Sequence, residues 1–385
     1  MRVPVETPVD PVQLTAELVR CPSVTPAEAG ALDLLQGVLV AAGFACTRVP
    51  RGGIDNLYAR FGTAPPCFAF AGHTDVVPVG EMGDWSVDPF GAERRDGRMI
   101  GRGTVDMKSG VAAFVAAAIA VSPRLAGRGS IALIVTGDEE GDATDGTTAL
   151  LDWMAEQGER PDFCVVGEPT SAELLGDTVK IGRRGSSTGR VTVTGKQGHT
   201  AYPDRALNPL PTLARIGARL SSLVLDEGSE HFQPSTLALT TMDVCNPANN
   251  VIPHKGRMTF NIRFNDHHTG ASLAAMIDAM VAEEAARDGA AASVAWTISG
   301  EAFLTPPMNT VGLISQAIAA VTGVEPVLGT GGGTSDARFI RAICPVVEFG
   351  LVGQGMHAVD ESVEIAQIAE LTTIYSAMLE RYFDL

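Results

Sequence analysis

Two residues suited to metal binding or proton transfer follow an apolar run in the first third of the chain. The stretch CFAFAG has the length and composition of a buried strand, and His73 and Asp75 come after it, two residues apart. A buried strand normally ends in a turn or a capping residue. An imidazole and a carboxylate at this point are instead typical of a site that binds a metal ion or moves a proton.

The same pattern recurs in four further segments. The residues concerned are carboxylates and one more imidazole: Asp106 before a helical segment, Asp138, Glu139 and Glu140 after SIALIVTG, Glu168 after DFCVVG, and His357 after a late strand. In open α/β sheets, binding sites lie beyond the carboxyl ends of the strands. Side chains from distant parts of the chain can therefore converge on one place.

Each residue also has an ordinary structural explanation. His73 could be a surface or capping residue, Glu168 could begin a loop, and Asp106 could be a helix N-cap. Five segments with the same strand-end placement argue against all of these explanations holding together. Several carboxylates in one place repel each other unless a cation neutralises them. Imidazole and carboxylate together suit zinc, or less selectively manganese or cobalt.

The segments that would position these residues alternate between helix and strand. Helical patterns occur in PVQLTAELVR, ALDLLQGVLVAAG, the segment after Asp106 and TTALLDWMAEQG, and strand patterns occur in CFAFAG, SIALIVTG and DFCVVG. Such alternation predicts a mainly parallel sheet with helices on its faces. After about residue 301 the alternation returns with a helix near VGLISQAIAAVTG, a strand CPVVEFG and a final helix to Tyr382.

The middle of the chain has a different order. Strands are predicted at GRVTVTG, STLALTTMDV, GRMTFNIRF and ASVAWTIS, and helices at LPTLARIGARLSSLV and ASLAAMIDAMVAEEAA. The second helix carries one apolar stripe, formed by Leu273, Met276, Ile277, Met280 and Val281. The order β-α-β-β-α-β is the ferredoxin-like split arrangement. We therefore predict an α/β fold: a mainly parallel-sheet catalytic domain (residues 1–182 and 301–385) with an inserted ferredoxin-like α+β domain (residues 183–300).

Composition restricts the partners of the protein. A chain of 385 residues exceeds one ordinary core, which favours two domains. The net charge of −17 argues against nucleic acid or an anionic membrane as a partner. The longest apolar segment, VAAFVAAAIAV, is too short to span a bilayer. The N-terminal stretch lacks the apolar core of a signal peptide, so we expect a soluble cytoplasmic protein.

The motifs GHTDVVP, GRGTVDMKSG, TGDEEG, VGEPTS and GMHAVDE resemble the dinuclear zinc metallopeptidase family that includes aminoacylases, carboxypeptidases and acetylornithine deacetylase. The resemblance covers essentially the whole chain and implies two zinc ions, with cobalt or manganese as substitutes. The ligands that it implies are His73, Asp106 and Glu168 for one ion, and His357, Asp106 and Glu140 for the other, with Asp106 shared.

The resemblance also implies that Asp75 orients His73, that Glu139 is the general base, and that the peptide bond between Asp106 and Met107 is cis. The residue types fit amide hydrolysis in their own right. Metal binding can lower the pKa of water from about 15.7 to about 7. A carboxylate that is not a ligand must take the proton and pass it to the leaving amine.

Further motifs point to the substrate. VKIGRRGS, GKQGHTAYPD, NNVIP, FNIRFN and GGGTSDARFI resemble a branch of the family that acts on a small dicarboxylate amide. Arginines can form bidentate pairs with carboxylates, and a glycine-rich loop can bind an anion. The predicted substrate-binding residues are Arg183, Arg184, Tyr202, Asn249, Arg263, Thr334 and Ser335. Considered alone, such arginines could equally be surface residues and the glycines a flexible turn. Ala337 stands where the family motif usually has glycine.

His199, in QGHTAY, is the remaining histidine with a predicted role. By resemblance it lies on the small domain and stabilises the oxyanion in the partner subunit's active site, which implies a homodimer. Strand edges of the small domain that need covering also favour dimerisation. The other four histidines belong to no such motif and are expected at the surface: His231, His254, His267 and His268.

Three alternatives remain open at this level. Another deacylase of the family, such as an acetylornithine deacetylase or an aminoacylase, is disfavoured by the arginines and by GGTSDARF. A non-catalytic binding protein on this fold should have lost Glu139 or some of the ligands, and all are present. A structural interaction protein predicts that no metal is bound.

Overall fold

The structure of the protein, a computed structural model, describes residues 9–125, 127–306 and 308–385. The helices in these residues are α1 (Pro11–Val19), α2 (Ala31–Ala41), α3 (Lys108–Val121), α4 (Thr147–Gln157), α5 (Leu210–Ser221), α6 (Gly270–Asp288), α7 (Asn309–Thr322), α8 (Ala337–Ile340) and α9 (Ile365–Phe383). The first strands are β1 (Ala45–Arg48), β2 (Leu57–Phe61), β3 (Cys67–His73), β4 (Glu93–Arg95), β5 (Arg98–Ile100), β6 (Ser130–Thr136), β7 (Phe163–Val166), β8 (Thr178–Lys180) and β9 (Gly182–Arg183). The later strands are β10 (Gly185–Thr194), β11 (Gly198–His199), β12 (Thr236–Asp243), β13 (Val251–Ile252), β14 (Lys255–Phe264), β15 (Ala291–Gly300), β16 (Phe303–Leu304), β17 (Val327–Gly329), β18 (Val346–Glu348) and β19 (Ser362–Glu364).

The chain forms two compact units, and the larger is built on a mixed sheet. This unit contains the chain up to Ile181, then Thr305–Gly329 and Ser335–Leu385. Its sheet has the strand order β1-β2-β6-β3-β7-β18-β8-β17, and the neighbours β6, β3, β7 and β18 at its centre run parallel. Every residue of β3 and β6 is buried. This burial explains their nearly continuous apolar sequences, because a parallel sheet is covered on both faces.

Helix α3 begins just after Asp106 and is buried around almost its whole circumference. It packs against α1, α9 and β3. A helix that is apolar on all sides is a core helix rather than a surface helix. Its alanine-rich sequence leaves small side chains on each face, so that neighbouring elements approach closely on all sides.

The second unit, Gly182–Leu304 with Thr330–Thr334, contains an antiparallel sheet with the strand order β12-β14-β10-β15. Along the chain its elements run β10-α5-β12-β14-α6-β15. This is the predicted β-α-β-β-α-β order, and together with the main sheet it confirms the predicted fold class. Apolar side chains of the sheet and of both helices form one core, which includes Phe260 and Ile277.

The apolar stripe predicted for α6 is correct except at one position. Leu273, Ile277, Met280 and Val281 are buried, whereas Met276 is 42% exposed. At about 100° per residue, Met276 falls at the edge of the stripe. Within the parts of the chain that the structure describes, no helix combines the length and apolarity that crossing a membrane requires.

This difference generates a stability prediction. Ile277→Ala should lower the free energy of unfolding by about 2–5 kcal/mol, because it removes packed methyl groups from a side chain that is fully buried. Met276→Ala, one residue away on the same helix, should change it by less than about 0.5 kcal/mol. Urea unfolding of the two variants measures both values. Equal losses would show that the second unit has a looser core than the structure indicates.

Candidate metal centre

Three neighbouring parallel strands bring most of the predicted ligands to one edge of the main sheet. His73 ends β3 and lies opposite Thr136, the last residue of β6. Ala71 of β3 lies opposite Val166, the last residue of β7. The residues that follow β6 and β7 therefore emerge beside His73, as expected for the carboxyl edge of a parallel sheet.

Asp106 lies between the two imidazoles. Its Oδ1 is 3.2 Å from Nε2 of His73, and its Oδ2 is 3.3 Å from Nε2 of His357. Each carboxylate oxygen thus faces a different histidine. A carboxylate in this position can share its two oxygens between two cations. The peptide bond that follows it, to Met107, is cis, which confirms that prediction.

The remaining predicted ligands lie beside the same two imidazoles. Nε2 of His357 is 2.9 Å from Oε1 of Glu140, and Nε2 of His73 is 3.8 Å from Oε1 of Glu168. Ligand atoms of His73, Asp106 and Glu140 lie within 4.8 Å of one another. The same holds for ligand atoms of His73, Glu139 and Glu168. The structure therefore brings all five predicted metal ligands together.

The hydrogen bond at the far side of the His73 ring determines which nitrogen faces the cluster as a ligand. Nδ1 lies 2.9 Å from the carbonyl oxygen of Asp75. A carbonyl oxygen only accepts, so Nδ1 carries the proton. Nε2 then presents its lone pair to Asp106 and Glu168 whenever the ring is neutral. Such a bond orients the ring and selects the tautomer that can bind a metal.

The carboxylate of Asp75, unlike its backbone carbonyl group, binds the turn that contains Glu139 and Glu140. It is buried, and it accepts hydrogen bonds from the backbone N–H groups of Glu139, at 3.2 Å, and Glu140, at 3.0 Å. Its closest carboxylate oxygen is 3.7 Å from Nδ1 of His73. Asp75 therefore holds the Glu139–Glu140 turn with its side chain and orients His73 mainly through its backbone. Asp138 instead turns to the backbone N–H groups of Thr144 and Asp145 and takes no part in the cluster.

The pKa values of the cluster show the effect of carboxylates that lie close together and are buried away from water. Burial, together with the charge of Asp106, raises the pKa of Glu168 well above its usual range. Burial alone would lower the pKa of His73, but its hydrogen bond with Asp106 and the charge of Glu168 raise it well above its usual value. Hydrogen bonds to Asp106 and Glu140 raise the pKa of His357 to about 10. The carboxylates thus attract positive charge strongly.

Glu139 differs from its neighbour in forming no hydrogen bond with an imidazole, although it lies near His73. Burial is the main cause that raises its pKa to about 8, and the charges of Asp336 and Glu140 add to the effect. A nearby cation would lower this pKa, because an opposite charge favours the ionised carboxylate. Glu139 would then be an ionised carboxylate beside the cluster.

The donor set fits divalent metal ions. Two imidazoles and several carboxylates match the ligands of zinc, cobalt and manganese in proteins. The carboxylates outnumber the histidines, and burial makes their mutual repulsion costly unless cations neutralise it. Asp106 supplies one oxygen to each side of the cluster, which suits two ions rather than one.

The predicted substrate residues lie in the second unit, except Ser335. Arg184 has a buried Nε without a hydrogen-bond partner among the described residues. Burial lowers the pKa of Arg263, and the charge of Arg184 lowers it further. The two guanidinium groups are therefore close enough to repel each other. Nη1 of Arg183 instead donates to the carbonyl oxygens of Gly331, at 3.4 Å, and Gly333, at 3.1 Å.

His199, Tyr202 and Asn249 are exposed in the second unit. His199 accepts a hydrogen bond at Nδ1 from the backbone N–H of Ala201, at 3.0 Å. A neutral ring in this state carries its proton on Nε2 and can donate it to an acceptor. The rings of His199 and Tyr202 are 5.7 Å apart. His268 is partly buried against Asp226, whereas the other three histidines without a predicted role are exposed.

The glycine-rich loop is divided between the units, with Thr334 in the second and Ser335 in the larger one. Ser335 is buried, and its hydroxyl donates to Oε1 of Glu348 at 2.6 Å. Ala337, in place of the usual glycine, is the first residue of α8. Because helical backbone suits alanine well, this substitution requires no change of the local fold.

Four buried residues near the ligands were missed by the sequence analysis. Glu348 and Asp336 are acids whose charges raise the pKa of Glu168 and Glu139 respectively. Arg102 and Glu361 form a buried ion pair. Glu361 lies in the quoted motif GMHAVDE, four residues after His357, and that position was the available signal. Glu348 ends an apolar strand and resembles an ordinary strand terminus.

The similarity of the chain to known proteins shows the family to which it belongs. A model of peptidase family M20/M25/M40 matches residues 69–381 of the chain. The chain therefore belongs to this peptidase family, which confirms the resemblance that its motifs predicted.

Two curated relatives and two solved structures are similar to the chain over nearly its whole length. A succinyl-diaminopimelate desuccinylase of Cereibacter sphaeroides is 58% identical over 98% of this chain and 100% of the relative. The desuccinylase of Roseobacter denitrificans is 59% identical over 97% and 99%. Among solved structures, an aminopeptidase from Bacillus cereus is 19% identical and matches with a TM-score of 0.78 over 96% of this chain and 97% of that chain. A dinuclear metal-binding M20 peptidase from Bacillus subtilis is 15% identical and matches with a TM-score of 0.75 over 97% and 98%. Both show the fold.

The close packing behind the metal ligands generates a second prediction. A Cβ atom added at Gly72 would lie 2.4 Å from Cε of Met107, and one added at Gly167 would lie 2.9 Å from it. Gly72 precedes His73, and Met107 follows Asp106. Gly72→Ala should therefore force the buried side chain of Met107, the residue after Asp106, to shift, lower stability by about 1–3 kcal/mol and weaken metal binding. Thermal unfolding and chelator competition measure the two effects.

Gly37→Ala is the matched control, because Gly37 lies inside α2 and a Cβ there meets nothing within 4 Å. It should leave metal binding unchanged and raise stability by up to about 1 kcal/mol through helix propensity. Unchanged metal affinity in Gly72→Ala would mean that Met107 can move aside without shifting Asp106.

Proposed function

We propose that the protein is a metal-dependent amide hydrolase that cleaves N-succinyl-L,L-2,6-diaminopimelate to succinate and L,L-2,6-diaminopimelate. The observation that carries this proposal is the identity of 58% to a succinyl-diaminopimelate desuccinylase over 98% of the chain and all of the relative. The reaction is a step in the biosynthesis of lysine and of a cell-wall precursor. We assign it to the cytoplasm, where such a precursor would be made.

Two zinc ions are the proposed cofactors, with cobalt or manganese as substitutes. His73, Asp106 and Glu168 would hold one ion, and His357, Asp106 and Glu140 would hold the other. The bridging position of Asp106 between the imidazoles supports this division. When bound, such ions lower the pKa of water toward about 7 and polarise the carbonyl group of an amide.

Glu139 is the proposed general base. It follows the same strand as Glu140, but Glu140 lies against His357 whereas Glu139 has no imidazole within hydrogen-bonding distance. As water adds to the amide carbonyl carbon, the Glu139 carboxylate takes one of the water protons. When the carbon–nitrogen bond breaks, the same carboxyl group gives that proton to the departing nitrogen. Asp75 holds the backbone of both glutamates, which fixes the separation of their roles.

Substrate binding is assigned to positive charge in the second unit. Arg184 and Arg263 repel each other, and Nε of Arg184 lacks a partner among the described residues, so a dicarboxylate would relieve both conditions. Arg183 supports the glycine loop and, with Thr334 and Ser335, contributes to anion binding. Tyr202 and Asn249 are proposed as further contacts. The hydroxyl of Ser335 already donates to Glu348, so its contribution would come from its backbone.

His199 is the proposed oxyanion donor, acting in the active site of the partner subunit of a homodimer. Its Nδ1 accepts from Ala201, so a neutral ring has Nε2–H available for donation. Strand β12 lies at the edge of the second sheet, and seven of its eight residues are exposed. Such an edge favours pairing with another chain. The exposed edge strand supports a dimer formed through the second unit.

The first test measures succinate released from N-succinyl-L,L-2,6-diaminopimelate. We expect turnover with zinc and little after chelation, because the buried carboxylates need the cations. Glu139→Gln should lower kcat by about 10²–10⁴-fold, the usual contribution of a general base, while keeping two zinc ions per subunit. Glu156→Gln, an exposed change on α4, is the control and should behave as wild type.

Two outcomes would contradict these assignments. If Glu139→Gln loses a zinc ion, the roles of Glu139 and Glu140 are exchanged. If acetylornithine gives a higher kcat/KM than the succinylated substrate, the protein is a different deacylase. A protein that binds zinc and hydrolyses neither compound would be a binding protein on this fold.

The dimer proposal predicts complementation between two inactive variants. A mixed dimer of His199→Ala and Glu139→Ala subunits contains one site with both residues intact, if His199 serves the partner's site. Co-expressed mixed dimers should therefore recover up to about half of the wild-type activity, since symmetry gives one intact site in two. Each variant alone is the control. Absence of recovery despite confirmed subunit exchange would show that His199 acts within its own chain or not at all.

A further inference from the structure

A buried ion pair lies next to the candidate ligands without belonging to them. Nη1 of Arg102 is 2.8 Å from Oε2 of Glu361, and the two side chains are 3% and 1% exposed. Arg102 lies four residues before Asp106, and Glu361 lies four residues after His357. We call residues 101–106 the Asp106 loop and residues 355–361 the His357 loop.

The Glu361 carboxylate binds the Asp106 loop at four points. Oε2 accepts from Nη1 of Arg102 and from the backbone N–H of Gly103 at 3.1 Å. Oε1 accepts from the backbone N–H groups of Val105, at 2.8 Å, and Asp106, at 3.1 Å. A side chain of the His357 loop thus holds the backbone amide of the residue whose carboxylate lies between the two imidazoles.

Arg102 makes the reciprocal contacts to the His357 loop. Nη1 also donates to the carbonyl oxygen of Ala358 at 3.2 Å, and Nη2 donates to that of His357 at 3.4 Å. His357 has a φ of +61°, in the left-handed region that residues other than glycine rarely occupy. The hydrogen bond to its carbonyl oxygen helps to hold this backbone conformation and the side-chain direction that follows from it.

We propose that Arg102 and Glu361 are positioning residues that set the separation between Asp106 and His357. This inference rests on the proposed function, because it assigns these two ligands to one metal ion. The pair acts through the backbone of both loops, and neither side chain touches the ligand atoms. Its effect is to hold Oδ2 of Asp106 and Nε2 of His357, 3.3 Å apart here, where one cation can bind both.

A role in stability alone explains the arrangement less well. Burying two charges costs much of what their attraction provides, so a packed apolar pair would stabilise the loops as well or better. Charged groups become necessary where several backbone N–H and carbonyl groups must be held at defined points. Residues that orient metal ligands in this way typically change metal affinity or activity by about 10–100-fold when substituted.

The experiment measures zinc affinity in Glu361→Gln and Arg102→Lys. An amide at position 361 keeps the shape but turns one N–H₂ group toward backbone donors. Lysine keeps the charge at position 102 but loses the two-pronged guanidinium. Both variants should bind the His357-side zinc about 10–100-fold more weakly in chelator competition. Their cobalt forms should show a shifted visible spectrum, and kcat should fall with little change in KM.

Glu159→Gln is the matched control. Arg60 and Glu159 form another pair in the larger unit, with side chains 17% and 25% exposed. The other hydrogen bonds of these two side chains involve Tyr58, Gly62 and Ser130, none of which is a candidate ligand. This variant should lose some thermal stability and keep the zinc affinity and cobalt spectrum of wild type.

The outcomes separate the two proposals. Wild-type zinc affinity and an unchanged cobalt spectrum in folded Glu361→Gln and Arg102→Lys would overturn the positioning role, whatever their loss of stability. If Glu361→Gln does not fold, Arg102→Lys alone decides in the same way. If wild type binds zinc but releases no succinate, the proposed function fails, while the zinc affinities of the variants still decide the role of the pair.

Discussion

The repulsion among buried carboxylates at one edge of a parallel sheet is the constraint on which the rest of the site depends. Asp106, Glu168 and the adjacent pair Glu139 and Glu140 come from three separate segments, and burial intensifies their repulsion. A protonated histidine partly compensates this negative charge. The carboxylates therefore raise the pKa values of both His73 and His357. Divalent cations compensate more completely, so the composition of the cluster and its need for metal have the same physical origin.

The surrounding structure keeps these groups in place against that repulsion. Asp75 binds the backbone of the Glu139–Glu140 turn, and its carbonyl oxygen fixes the tautomer of His73. Met107 lies against Gly72 and Gly167, where a larger residue would intrude. The ligands thus stand on backbone that is itself hydrogen-bonded or closely packed. Such support gives a site its geometry before any ion binds.

Much of the fold and many of the candidate ligands could be predicted from the sequence, because the patterns that indicate them are periodic along one element or contained in a short motif. Alternating helix and strand patterns indicated the parallel sheet, and the strand-end positions indicated which residues could meet. The exposure of Met276 was missed because it falls at the edge of a helical stripe, where packing rather than periodicity decides burial. Glu361 was missed, although it lies in the same motif as His357, because all its partners except Arg102 are backbone amides, which its residue type does not indicate. The contact of Ser335 with Glu348 depends on tertiary placement in the same way.

The contact between Glu140 and His357 joins residues 217 positions apart, and the whole second unit lies between them in the chain. The entropic cost of closing such a loop grows only with the logarithm of its length, by about 0.6 kcal/mol for each doubling. The free-energy cost of bringing Glu140 and His357 together therefore depends only weakly on the length of the intervening segment. The inserted unit can therefore be enlarged or reshaped in evolution at little entropic cost, while the two ends of the segment remain joined at the same cluster of candidate ligands.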